Sequence, residues 1–306
     1  MKISKSGFRV SLIFFTLFIW APALLASVQD YRPVWLRCQS KNNPEVPGTH
    51  VLAIRQFVQN SESHYLLVEA QSLRTKLVRA ADYNCLQADP VQSAQTYYAQ
   101  ILQRVTADSE RLTNVGIQNF IQSAVVISVD MCPSRRAYEK PLFDWLEQNN
   151  QPFAVAFTAG WARRHAEEFQ HLKSISEVNR NVTWVNHSYH HPYNRDMGLA
   201  GNFLLLPGVN IEQEVLGNEI FMIENGLTPS VFFRFPGLVS SAELVAKLSE
   251  WGLITLGSDA WLAKGERPKA GSIILLHGNG NEPRGIELFF RWLDQILSLG
   301  VAALPQ

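Results

Sequence analysis

The chain has three cysteines, four methionines and no run of like charge, and each scarcity excludes something. The 27 Lys+Arg are balanced by 27 Asp+Glu. Without a basic stripe there is no electrostatic grip on a polyphosphate, which excludes a dedicated nucleic-acid binder. The glycine-rich stretch at 278–280 lacks the Lys-Ser/Thr of a phosphate cradle and opens no G-x-G-x-x-G unit, so a nucleotide site is discarded. No apolar stretch beyond residue 26 is long enough to span a bilayer, and no internal repeat or low-complexity tract is visible. What remains is 46% hydrophobic and 18% charged, ample for a packed core and incompatible with a disordered chain.

The first 26 residues read as an address. Lys2, Lys5 and Arg9 precede an apolar run over 10–20, then Ala-Pro-Ala, Leu-Leu-Ala and the polar Ser27-Val28-Gln29-Asp30. A basic start, a short apolar stretch and a small-residue exit predict a secretory signal cleaved near Ala23 or Ala26. The alternative is an uncleaved anchor over 10–26, at the lower edge of spanning length; only then is the membrane a partner. Cleavage leaves 24 Lys+Arg against 27 Asp+Glu on an exported, periplasmic or secreted protein. Disulfides persist there, and a Cys38–Cys85 bridge is expected across a segment rich in β-formers. Cys132 is left over, and its plainest role is a buried apolar thiol.

Two textures follow the address. Residues 27–118 are polar and irregular, with strands expected at 51–59, 65–69 and 76–79, a hairpin loop at 59–63 and a helix over 91–105. This reads as an accessory region, a small meander joined by a helix. Trp35, Tyr97 and Tyr98 within it either contact sugar or pack a core, and packing is the commoner use. From 119 to 306 buried strands alternate with amphipathic helices. Short apolar runs stand at 124–129, 153–157, 182–185, 230–233, 253–256 and 272–276. Leu244, Leu248 and Trp251 share one helical face, as do Phe289, Leu293, Ile296 and Leu297. Ser240 or Ser241 is a candidate N-cap, and Gly300 a candidate C-cap. The alternation predicts an α/β fold of mostly parallel strands, either a barrel or an open sheet.

In both architectures chemistry collects at the carboxyl ends of the strands. Five runs there deliver Asp130, the segment Asn186-His187-Ser188-Tyr189-His190-His191, Arg234, Gly257-Ser258-Asp259 and His277 in turn. His187 and His191, four apart, would project to one side of a helical turn and chelate a metal; His190 competes for the partnership. A carboxylate such as Asp130 beside activated water is a general base, though an isolated Asp more often caps a turn. His277 either bonds loop carbonyls or protonates a leaving group. Arg234, among apolar neighbours, calls for a carboxylate, with Asp130 or Asp259 the candidates.

These residues resemble the polysaccharide deacetylases of carbohydrate esterase family four. Ser128-Val129-Asp130-Met131-Cys132-Pro133 stands where that family has Thr-Phe-Asp-Asp-Gly-Pro. His187-Ser188-Tyr189-His190-His191 matches its His-Ser/Thr-x-x-His, and Arg234-Phe235-Pro236 its Arg-x-Pro. Asp259-Ala260-Trp261 loosely matches its Asp near a Trp, and Leu275-Leu276-His277 its Leu-x-His. The resemblance covers roughly residues 119–304. It implies a distorted (β/α) barrel with fewer than eight strands, beside the small β-rich and helical N-terminal region. It also implies metal-dependent removal of acetyl groups from an N-acetylated polysaccharide or cell-wall glycan, with O-acetyl removal served by the same chemistry. By the same resemblance Asp130 is the base, Arg234 its holder, His277 the acid, and Asp259 a tuner of Arg234 or His277. Trp261, Tyr189 and Pro236 line the sugar groove, and His187 and His191 hold a divalent metal, zinc foremost.

One position departs. The family's second Asp, a metal ligand, is Met131 here, and a thioether is a poor ligand for zinc or harder cations. The two histidines with water or Asp130 completing the shell rank first, Cys132 as third ligand next. Without any metal, the chain would instead be a non-catalytic glycan-binding protein.

Overall fold

Period-two reading misses the first described element, a twelve-residue strand β1 (Gln29–Ser40), because Pro33 interrupts it. Pro33 is tolerated where β1 is irregular: the register to its neighbour slips between Pro33 and Leu36, and the other neighbour pairs only with Leu36–Ser40. The computed structural model describes residues 27–42, 51–88, 94–120 and 123–305. The expected address, and the part of the expected helix at 91–93, lie outside the described residues.

β1 joins β2 (Val51–Gln59), β3 (Glu62–Glu69), β4 (Thr75–Arg79) and β5 (Tyr83–Gln87) in an antiparallel sheet ordered β4-β3-β2-β1-β5. The β2–β3 hairpin turns on Asn60-Ser61 alone, both with positive φ, the backbone that a two-residue hairpin demands. Cys38 and Cys85 face each other across β1 and β5 and are bridged, closing a separation of 47 residues. α1 (Tyr97–Ala107) starts later than expected because Thr96 caps it, accepting from Ala99 N.

The second sheet holds β6 (Val126–Met131), β7 (Phe153–Phe157), β8 (Val182–Asn186), β9 (Phe232–Phe233), β10 (Ile254–Thr255), β11 (Ala260–Trp261) and β12 (Ile273–His277). All seven are parallel, in the order β10-β9-β8-β7-β6-β12-β11, curled into a half-barrel. The fold is therefore the α/β distorted barrel with fewer than eight strands, beside a separate N-terminal sheet. Residues 113–119 belong to the wall of this barrel. Ile117 bridges Leu256, and Asn119 bridges Ser272, across the gap between the β10 edge and the start of β12.

Helices α2 (Lys140–Gln148), α3 (Ala159–Arg164), α4 (Ala166–Val178), α5 (Ile211–Glu224), α6 (Ala242–Glu250), α7 (Pro283–Arg291) and α8 (Leu293–Ser298) cover the strands. Ser241 is the N-cap of α6, accepting from Leu244 N, and Gly300 takes the positive φ expected past α8. The apolar stripe from Phe289 to Leu297 is split: the chain leaves helical geometry at Trp292 and restarts. Strand parity sorts the core. Ile127, Val129 and Met131 pack outward with Leu142, Phe143 and Phe289, while Val126, Ala154 and Ala156 face inward.

The two sheets share one core and a buried ion pair. Leu52, Ile54, Leu66 and Tyr98 pack in one cluster with Phe232, Val245 and Leu253. Arg55 donates to both carboxylate oxygens of Glu219 on α5, at 2.8 and 3.0 Å, and Tyr31 adds a hydroxyl at 2.9 Å. Tyr98 is fully buried with its hydroxyl on the Gly252 carbonyl, and Trp35 donates to Glu250 O, so both serve packing at this junction. Arg55 and Glu219 are each 0% exposed. Removing one partner should therefore leave a buried, uncompensated charge. Arg55→Met is expected to cost about 3–5 kcal/mol in denaturant unfolding, and Arg55→Met/Glu219→Leu to recover most of that loss.

Candidate metal centre and active site

Parity in β6 decides what its end can offer. Ser128, Asp130 and Cys132 alternate toward the barrel interior, while Met131, 0% exposed, turns into the outer core. A side chain on Gly278 would meet Val129, the Met131 sulfur and Phe143 at 2.5–2.9 Å. The thioether thus fills space beneath the turn that follows β12.

Arg234 crosses the interior. Its Nη1 donates to Asp130 Oδ1 at 2.7 Å and to Ser128 Oγ at 2.8 Å; Nε and Nη2 reach the carbonyls of Leu256 and Gly257 at 3.3 and 3.1 Å. The guanidinium is 0% exposed, and these acceptors compensate it. Burial alone would raise the Asp130 pKa, but Arg234, His187 and His277 together hold it below the ordinary value, so the carboxylate is ionised. Arg234 takes Oδ1, and Oδ2 lies 3.7 Å from His187 Nε2.

The loop after β8 is a strained turn rather than the expected helical one. Ser188 and His191 both have positive φ. Polar side chains hold it there. Asn186 Oδ1 accepts from Ser188 N at 3.0 Å and from Asn218 Nδ2 at 2.9 Å. Glu214, in the first turn of α5, accepts from His190 N and His191 N and lies 2.7 Å from His190 Nδ1. His190 is thereby diverted, which leaves His187 and His191 as the facing pair, ring centroids 5.0 Å apart. Behind His191 stands Phe203, which is in turn accommodated by Gly237. At φ 62° Gly237 has the left-handed backbone that glycine tolerates, and a Cβ there would sit 2.4 Å from the Phe203 ring.

His187 Nδ1 donates to Arg234 O at 2.8 Å, which points Nε2 toward Cys132 Sγ, 3.4 Å away. Ligand atoms of Cys132, His187 and His191 lie within 4.8 Å of one another, and so do those of Asp130, Cys132 and His277. His191 Nε2 is buried and has no hydrogen-bond partner among the described residues. Burial would raise the Cys132 thiol pKa, but His191, His187 and His277 bring it well below the usual thiol range. Zn–N bonds of about 2.0–2.1 Å and a Zn–S bond of about 2.3 Å set tetrahedral ligand atoms about 3.5 Å apart. An aligned imidazole, a buried unpartnered nitrogen and an acidified thiol therefore fit zinc. The geometry groups Cys132 with the two histidines, and Asp130 with Cys132 and His277.

His277 pairs with Asp130 in the β12–β6 register. Burial would lower its pKa, but Cys132, Glu282 and Asp130 raise it well above the ordinary imidazole value. The ties expected of Asp259 to Arg234 or His277 are not made. Its carboxylate accepts from Ser272 Oγ at 3.1 Å and Ile273 N at 2.9 Å, securing the start of β12. Trp261 lies beside His277, ring centroids 5.8 Å apart. Tyr189 instead packs toward Phe221 under Arg163, and Pro236 is buried. Sequence reading missed Glu214, Asn218, Asn279 and Glu282. Asn279, 0% exposed, donates to Cys132 O at 2.7 Å. A buried Asn in a glycine-rich loop was the available signal. A cleft of about 1010 Å³ beside Arg180, Asn181 and Val182 lies at the start of β8, the end opposite the histidines.

Residues 29–104 match the RP012 protein N-terminal domain, which spans the antiparallel sheet and most of α1. Among solved structures the chain is similar to a family 4 carbohydrate esterase of Bacillus subtilis, PdaA, with 14% identity and TM-score 0.47, covering 77% of this chain and 89% of that one. It is similar to the chitin deacetylase of the fungal pathogen Colletotrichum lindemuthianum, with 18% identity and TM-score 0.45, over 63% and 90%. A Bacillus anthracis family 4 pseudoenzyme is a further likeness, at 17% identity and TM-score 0.41, over 59% and 63%.

Wild-type protein is expected to bind one zinc, and cobalt substitution to show a thiolate charge-transfer band that Cys132→Ser abolishes. Competition with a chelator should show Cys132→Ala weakening zinc by more than the about 10–100-fold that losing an outer hydrogen-bond partner costs.

Proposed function

We propose that the chain is an exported, metal-assisted hydrolase that removes acetyl groups from an N-acetylated glycan. The observation that carries this reading is the meeting of Asp130, Cys132, His187 and His277 within a few ångströms, around a buried Arg234. A divalent ion held by Cys132, His187 and His191 would supply Lewis acidity to an acyl oxygen and acidity to water.

The remaining work belongs to the protein. Asp130, kept ionised by Arg234, receives the proton of the attacking water through Oδ2, since Oδ1 is already committed. Arg234 fixes that carboxylate and, through its own carbonyl, the tautomer of His187. His277, held protonated by its neighbours, gives its proton to the departing nitrogen as the carbon–nitrogen bond breaks. Trp261, partly exposed beside His277 and with Lys264 over its ring, offers its remaining exposed surface to the sugar.

Zinc-loaded protein should release acetate from N-acetylglucosamine oligosaccharides. Asp130→Asn and His277→Ala should each lower kcat by about 10²–10⁴-fold, and His187→Ala should lose zinc and activity together. Cys132→Asp, which retains a ligand atom, should keep more activity than Cys132→Ala. Acetate release indifferent to Asp130→Asn and His187→Ala, or glycan binding without turnover by the zinc-loaded protein, overturns the reading.

A further inference from the structure

Glu282 is absent from the motifs that point to this site, yet its carboxylate reaches the ring of His277. It ends the turn after β12 and precedes α7. Its Oε2 lies 2.8 Å from His277 Nδ1, and the same oxygen accepts from Trp261 Nε1 at 2.7 Å. His277 Nδ1 has no well-angled hydrogen-bond partner among the described residues, so the contact is an ion pair. The side chains of His277 and Glu282 are 13% and 32% exposed, which leaves the pair only partly screened by water. Lys264 lies 3.5 Å over the centroid of the Trp261 ring and closes the arrangement from outside. Asp259, the carboxylate nearest in sequence to Trp261 and the one expected to serve His277, is occupied at Ser272 and Ile273.

We infer that Glu282 is the positioning residue of His277: it pairs with the Nδ1 side of the ring, holds the ring in place and leaves Nε2 for the reacting nitrogen, with Trp261 holding the carboxylate. The inference deepens the deacetylase reading and rests on it for the identity of the reaction. The physical need is ordinary. An imidazole that delivers a proton works when one nitrogen is tied to an oriented partner and the other is aimed, and a carboxylate is the common partner. A shared indole hydrogen bond also removes rotamer freedom from a glutamate that would otherwise sample solvent. Trp261 then has two duties, a wall beside the sugar and a clamp on Glu282, so its replacement by Phe keeps the wall and removes the clamp.

The experiment compares zinc-loaded wild type with Glu282→Gln, Glu282→Ala and Trp261→Phe, each also in a His277→Ala background. Two substrates are used, an N-acetylglucosamine oligosaccharide and p-nitrophenyl acetate. The amide leaves as an amine that needs a proton, whereas p-nitrophenolate does not. Glu282→Ala should lower kcat on the oligosaccharide by about 10–100-fold with KM little changed. The loss should be at least several-fold greater than on the ester, and should vanish in the His277→Ala background. Nitrogen-15 NMR of histidine-labelled protein gives a readout that needs no turnover: the His277 Nδ1 signal should shift in Glu282→Ala as its carboxylate partner is lost, with Trp261→Phe intermediate. Ring signals unmoved by Glu282→Ala, or equal losses with and without His277, overturn the inference. If wild type hydrolyses neither substrate while Glu282→Ala still moves the His277 signals, the deacetylase reading falls and the positioning role stands.

Discussion

A guanidinium buried without water must be surrounded by acceptors or it unfolds its surroundings, and Arg234 organises the site by meeting that demand. Its hydrogen bonds bring together Ser128 and Asp130 from β6 with the carbonyls of Leu256 and Gly257 past β10, so two separated strands are held across the barrel interior. Its own carbonyl accepts from His187. One residue therefore sets the charge of the carboxylate and the tautomer of the imidazole, the two properties on which acid–base work and metal binding respectively turn.

Helix α5 extends the same economy outward. Glu214 grips the backbone of His190 and His191. Asn218 grips Asn186 and the Phe157 carbonyl, and Glu219 is clasped by Arg55 and Tyr31 of the N-terminal sheet. Three polar side chains on one helix tie the histidine loop, the strand ends and the accessory sheet into a single frame. The N-terminal sheet thus acts as a brace behind the helix that shapes the histidine loop, and Trp35 of β1 and Tyr98 of α1 pack at that joint.

Sulfur is divided by environment. Cys38 and Cys85 are bridged across paired strands, while Cys132 is free and buried among histidines. A thiol acidified by neighbouring histidines has the chemistry of a candidate metal ligand. A thioether at residue 131 costs nothing, because its strand position faces the outer core.

The run of buried strands, the helix stripes on Leu244 and Leu248, and the placing of Asp130, His187, Arg234 and His277 at or just past the carboxyl ends of strands were legible in the primary chain, because period-two and 3.6-residue patterns are local. Strand β1 was hidden by Pro33, harmless only where β1 is irregular and unpaired on one side. Partner choice was not legible: that His190 turns to Glu214, that Asp259 serves Ser272, that Glu282 reaches His277, and that Cys132 lies with the two histidines. Each of these depends on distances between segments far apart in the chain, and a side chain's partner is settled by which groups the fold buries beside it. Residue identity alone determined which chemistry was on offer at the barrel's rim, and tertiary packing decided which group was paired to which.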